Sequence, residues 1–120
     1  MTNSLALIIE DDEDLATIFS EALHLAELET EIIRDGASAA ARLKEVTPVV
    51  VVLDLHLPQV SGATLLYQIR STPALAHTRV IIATADPVMA EGLSLEADLV
   101  LIKPISFSQL RDFALRMKAA

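Results

Sequence analysis

The stretch Val49-Val50-Val51-Val52-Leu53-Asp54-Leu55-His56-Leu57-Pro58-Gln59-Val60-Ser61-Gly62 decides how this chain folds. It opens on an aliphatic run without polar alternation, as strands buried on both faces do. An acid ends the run abruptly at Asp54. An acid directly after a fully apolar strand is hard to explain as a solvated loop residue, so this position draws attention first.

Working outward, similar short runs occur at 5–9, 80–83 and 99–102, and a weaker one at 30–34 sets Ile32 and Ile33 among charged neighbours, as an edge strand should. Between them the apolar period becomes helical. Residues 14–27 place Leu15, Ile18, Phe19, Ala22, Leu23 and Ala26 on one face. A turn at Asp35-Gly36 precedes an alanine-rich helix that ends near Val46, and Pro48 stops it. A third helix covers about 62–71, burying Leu65, Leu66 and Ile69, with Thr72-Pro73 closing it. Asp86-Pro87 starts a short fourth helix ending near Leu95, with Asp86 as its N-cap. Ser106 and Gln109 form a capping-box pattern before a last helix that carries Phe107, Leu110, Ala114 and Met117 on one face. Five strands alternating with helices predict an α/β fold, a doubly wound parallel sheet with helices on both faces, and residues 1–120 read as a single domain.

The composition narrows the function classes. Of the 120 residues 52% are hydrophobic, yet no apolar run exceeds about five, far short of the roughly 20 that a membrane span needs. The apolar residues therefore form a core. Cysteine is absent, which excludes disulfides and thiolate chemistry. A formal net charge of -8 argues against direct attraction to nucleic acid or an anionic membrane surface. No secretory signal pattern opens the sequence, so a cytoplasmic location is expected.

In an open parallel sheet, ligands bind beyond the carboxyl ends of the strands. There this sequence places Glu10, Asp11, Asp12, Glu13 and Asp14 after the first strand, Asp54 after the third, Thr84 after the fourth and Lys103-Pro104 after the fifth. Gathered acids with one lysine stay strongly negative unless protons or a metal neutralise them. All-oxygen ligands favour magnesium or a similar hard cation, and a metal, an ammonium and a hydroxyl together suit a transferring phosphoryl group. Asp54 is then a candidate nucleophile. Asp14 and Asp35 read as solvated loop residues or helix caps, and His24, His56 and His77 share no metal-site spacing.

The acidic cluster, the run from Val52 to Gly62, Ala83-Thr84-Ala85 and Lys103-Pro104 together resemble the receiver domains of response regulators. The resemblance covers nearly the whole chain. It implies a CheY-like sheet of order 2-1-3-4-5, with Asp54 as phosphoacceptor and Glu10 and Asp11 positioning Mg2+. By the same resemblance Asp11 is expected as the direct ligand, Asp12 as a supporting acid, and His56 as the donor of a backbone carbonyl. Thr84 and Lys103 are expected on the phosphoryl group, while Pro58 and Gly62 shape the loop after the third strand. A signalling switch follows rather than an enzyme with released product. Its implied partners are a sensor histidine kinase or phosphotransfer protein and a downstream effector protein or output domain.

Two departures stand out. Val100 occupies the place, three residues before Lys103, where the family usually has tyrosine or phenylalanine. Thr84 and Lys103 are also about one helical turn closer in sequence than usual, in the region of the family's common output and dimer face, so a homodimer stays open. Three other readings compete. A flavodoxin-like FMN carrier is disfavoured because an acidic first loop repels phosphate, and an aspartate-based phosphatase because His56 stands where a second acid is common. A pseudo-receiver or docking module is opposed by the complete set of Glu10, Asp11, Asp54, Thr84 and Lys103.

Overall fold

The computed structural model describes residues 4–119, and the side chains of 117–119, Met117 among them, lie outside the described set. Five strands, β1 (Leu5–Ile9), β2 (Glu29–Ile33), β3 (Val50–Asp54), β4 (Arg79–Thr84) and β5 (Leu99–Ile102), alternate with α1 (Glu13–Leu25), α2 (Gly36–Arg42), α3 (Gly62–Ser71), α4 (Pro87–Leu93) and α5 (Phe107–Ala119). All strand pairs are parallel and the order is β2-β1-β3-β4-β5. The expected CheY-like topology is therefore present.

Strand alternation divides the core into two layers. Ala6, Ile8, Val50, Val52, Ile81, Ala83 and Leu101 pack toward α1 and α5. Leu7, Ile9, Val51, Leu53, Val80 and Ile82 pack toward α2 and α3, with Met89 and Leu93 of α4 half-buried at the margin. Every residue of β3 is buried, which is why its sequence carries no polar alternation.

The expected elements shift only at their ends. β2 begins one residue earlier than expected, and α1 starts at Glu13 because Asp12, not Asp14, caps it by accepting from Leu15 N at 3.1 Å. On α1, Ile18 is 41% exposed while Ala16 is buried in its stead. Helix α2 stops at Arg42, a turn short of Val46, because residues 43–45 form a turn before β3 rather than another helical turn. Asp35 and Asp86 are N-caps of α2 and α4, and Ser106 and Gln109 make the reciprocal capping box at 3.1 and 3.3 Å. Among the described residues no helix is long and apolar enough to cross a membrane.

Candidate functional site

The parallel register brings the carboxyl ends of β1, β3, β4 and β5 to one edge, since Ile9 pairs with Leu53, Asp54 with Ala83 and Thr84 with Ile102. Each strand presents its last residue, or the one after it, at that edge. Glu10 follows β1, Asp54 and Thr84 end β3 and β4, and Lys103 follows β5.

Glu10, Asp11 and Asp54 each direct a carboxylate oxygen into one group whose atoms lie within 4.8 Å of one another. Glu10, Asp54 and Thr84 are buried, whereas Asp11 is exposed. Lys103 Nζ enters from the side, 3.0 Å from Glu10 Oε1 and 3.6 Å from Asp54 Oδ2. The sequence pairs Lys103 with Asp54 as readily as with Glu10, so the closer approach to Glu10 is a finding of the fold.

Backbone groups fix the carboxylates. His56 N donates to Asp54 Oδ1 at 3.1 Å, and Asp12 N donates to Glu10 Oε2 at 3.2 Å. The His56 imidazole turns away, its Nε2 lying 4.0 Å from Asp86 Oδ2. Thr84 Oγ1 accepts from Asp86 N at 3.0 Å, and Lys103 N donates to the Thr84 carbonyl at 2.8 Å. These backbone donors are invisible in the sequence because every residue carries an N–H, and only the turn decides where it points. Gly62 packs so closely under β3 that a Cβ there would collide with the Asp54 carbonyl. The expected loop-shaping role of Gly62 thus has a steric cause.

Burial of Glu10 raises its pKa to about 7; Lys103 opposes the rise and the negative charge of Asp54 adds to it. Glu10 Oε1 is buried, and the Lys103 ammonium 3.0 Å away is its charged partner. Three carboxylates beside a single ammonium leave the cluster formally negative, a charge that a bound cation would offset. The all-oxygen donor set suits magnesium or a similar hard cation by type.

The residues of the chain from 6 to 114 match the family model described as the response regulator receiver domain. The chain belongs to this receiver-domain family. The transcriptional regulatory protein TrcR of Mycobacterium tuberculosis is 33% identical over 106 residues, which span 87% of this chain and 41% of TrcR. The receiver domain thus spans less than half the length of that relative. Among solved structures, the receiver domain of the Pseudomonas aeruginosa sensor histidine kinase PA1611, described with a magnesium ion in its active-site cleft, superposes with a TM-score of 0.86. The two are 19% identical, with 99% of this chain and 100% of that one covered. The chemotaxis response regulator CheY4 of Vibrio cholerae gives a TM-score of 0.85 at 22% identity, covering 97% of this chain and 99% of CheY4. At these identities the two structures speak to the fold alone.

Within the receiver fold, Val100 is half-buried and packs against the α2–α3 layer of the core, which Met89 and Leu93 of α4 also join. The short α4 buries only Ala90.

Proposed function

We propose that this receiver domain accepts a phosphoryl group on Asp54 from the phosphohistidine of a sensor kinase or phosphotransfer protein, in a magnesium-dependent reaction, and so switches its binding to a partner. The observation that carries the reading is the convergence of Glu10, Asp11 and Asp54 within 4.8 Å, beside Lys103. Bound magnesium would supply charge neutralisation to the transferring group. Glu10, Asp11 and Asp54 would hold it, with the His56 backbone carbonyl completing the protein ligands.

The residues divide the work. An Asp54 oxygen attacks phosphorus, the phosphorus–nitrogen bond breaks, and the departing imidazole keeps the bonding electrons and takes up a proton. The His56 N–H on Asp54 Oδ1 orients the carboxylate for that attack. Lys103 shifts from its carboxylate partners to a phosphoryl oxygen, and the Thr84 hydroxyl leaves the Asp86 N–H to donate to another. The phosphoryl group carries about -1.5 to -2 charge in place of the single negative charge of the carboxylate. The site thus gains about -0.5 to -1 together with three acceptor oxygens, which draws Thr84 and Lys103 inward and rearranges the loop between β4 and α4. With Val100 in place of an aromatic side chain, the signal travels through that loop. The domain acts in the cytoplasm as a switch that catalyses its own modification and slow hydrolysis. Its readers are a downstream effector protein or an output domain.

The test is intact-mass measurement after incubation with a small phosphodonor and magnesium. A gain of about 80 Da, one phosphoryl group, is expected for the wild type and not for Asp54→Asn or for metal-free wild type. A gain in Asp54→Asn equal to that of the wild type would move the acceptor elsewhere. No gain in any sample would favour a docking module that has lost phosphate chemistry.

A further inference from the structure

The turn between β2 and α2 contributes no carboxylate to the site, yet it touches both loops that do. Arg34 Nη2 donates to the backbone carbonyl of Asp11 at 3.1 Å, and Arg34 Nη1 stands 3.8 Å from Glu13 Oε2. Two residues on, the Gly36 N–H donates to the Pro58 carbonyl at 3.1 Å, an oxygen that also accepts from Val60 N at 2.8 Å. Gln59, between those residues, has a φ of 70°. A left-handed residue other than glycine persists only where its surroundings hold it. Gly36 does part of that holding, because it is buried and lies so close that a Cβ would collide with the Val60 carbonyl.

We infer that the β2–α2 turn is a positioning element for the cation site: Arg34 anchors the loop that carries Asp11, and Gly36 anchors the loop that follows Asp54. The inference rests on the magnesium-dependent reading above and deepens it. Magnesium demands near-ideal octahedral geometry, so a ligand loop that wanders loses affinity even when its carboxylate is intact. Arg34 and Gly36 act through backbone groups of the ligand loops and are positioning residues, not ligands.

Electrostatics alone gives the opposite sign. Arg34 is a half-exposed cation at the rim of an acidic cluster, and its charge repels an incoming metal ion. Removing that charge would tighten magnesium binding if Arg34 acted only through its field. Loss of positioning would weaken it. The sign of the change therefore separates the two roles.

Magnesium chloride is titrated calorimetrically into wild type, Arg34→Met, Arg34→Lys and Gly36→Ala at fixed pH and ionic strength, and thermal unfolding of each is recorded without metal. The dissociation constant is expected to rise about 10-fold in Arg34→Met and in Gly36→Ala, the lower end of the usual effect of outer-shell partners. Arg34→Lys, which can still donate to the Asp11 carbonyl, recovers part of that loss. Arg34→Met keeps a metal-free unfolding temperature near that of the wild type, so its weaker binding is not a failure to fold. It decides the matter alone if Gly36→Ala does not fold. Unchanged or tighter binding in Arg34→Met overturns the inference while leaving the site intact. A wild type that binds no magnesium overturns the metal-dependent reading itself, and this inference with it.

Discussion

β1 and β3 lie side by side in the middle of the sheet, and Ala6 to Ile9 and Val50 to Leu53 are all buried. The margin beyond β4 is built differently. Leu99 and Val100 of β5 are only half-buried, Ile102 is 44% exposed, Val88 of α4 is 80% exposed, and Leu95 in the following turn is fully exposed. The acids Glu10, Asp11 and Asp54 hang from the first pair of strands. Thr84 leads into α4, and Lys103 follows the edge strand β5. Chemistry that needs fixed geometry thus sits on the rigid half, while Thr84 and Lys103 bound a segment, α4 to β5, in which local rearrangement opposes less packing.

The largest expected effect tests that contrast in stability. Ile8→Ala, at a position with no exposure, should lower unfolding free energy by about 4 kcal/mol. Val88→Ala should change it by no more than about 0.5 kcal/mol. Urea unfolding of the two variants checks this, and similar losses would erase the distinction between the halves.

Glu10 sharpens the comparison from the rigid side. Its pKa is raised from 4.5 to about 7 in the folded protein, so the unfolded chain releases this proton first as pH rises. The protonated acid's contribution is fully present below pH 4.5 and is lost as pH climbs through about 7. In metal-free buffer Glu10→Gln should therefore gain stability relative to wild type across that interval, levelling off at no more than about 3 kcal/mol. Magnesium should shrink the difference by stabilising the wild type. A difference that is flat between pH 4.5 and 7 would mean that Glu10 ionises as it does in the unfolded chain.

Two glycines carry the comparison to smaller energies. Gly36→Ala should destabilise by about 1–3 kcal/mol because the Val60 backbone must yield. A Cβ at Gly92 of α4 meets nothing within 4 Å, so Gly92→Ala should stabilise by about 0.5–1 kcal/mol through helix propensity. Thermal melts of the pair should shift in opposite directions.

Much of this was legible in the sequence, and the reasons differ by element. The strands announced themselves because a doubly covered sheet demands unbroken aliphatic runs, and Asp54 stood out against that background. Glu10, Asp11, Thr84 and Lys103 were legible because parallel pairing sends every strand's carboxyl end to one edge. Hydrophobic periodicity turns Ile18 inward where Ala16 of α1 is the residue buried against the sheet, because a small alanine signals burial weakly. The end of α2 is ambiguous in the sequence because residues 43–45 suit a helix as well as the turn they form. Arg34 and Gly36 carry no such signal. Their partners are backbone carbonyls 23 and 22 residues away, and no side-chain pattern encodes a contact with a carbonyl. The Asp35-Gly36 pair signals a turn, not what the turn presses against.

Hydrogen exchange followed by mass spectrometry, with and without magnesium and a small phosphodonor, tests the division of labour between the two halves most directly. In a sample whose mass shows the added phosphoryl group, amides of β1 and β3 should keep their protection while those between Thr84 and Lys103 change. Equal changes in both halves, or an unaltered segment from Thr84 to Lys103, would contradict it.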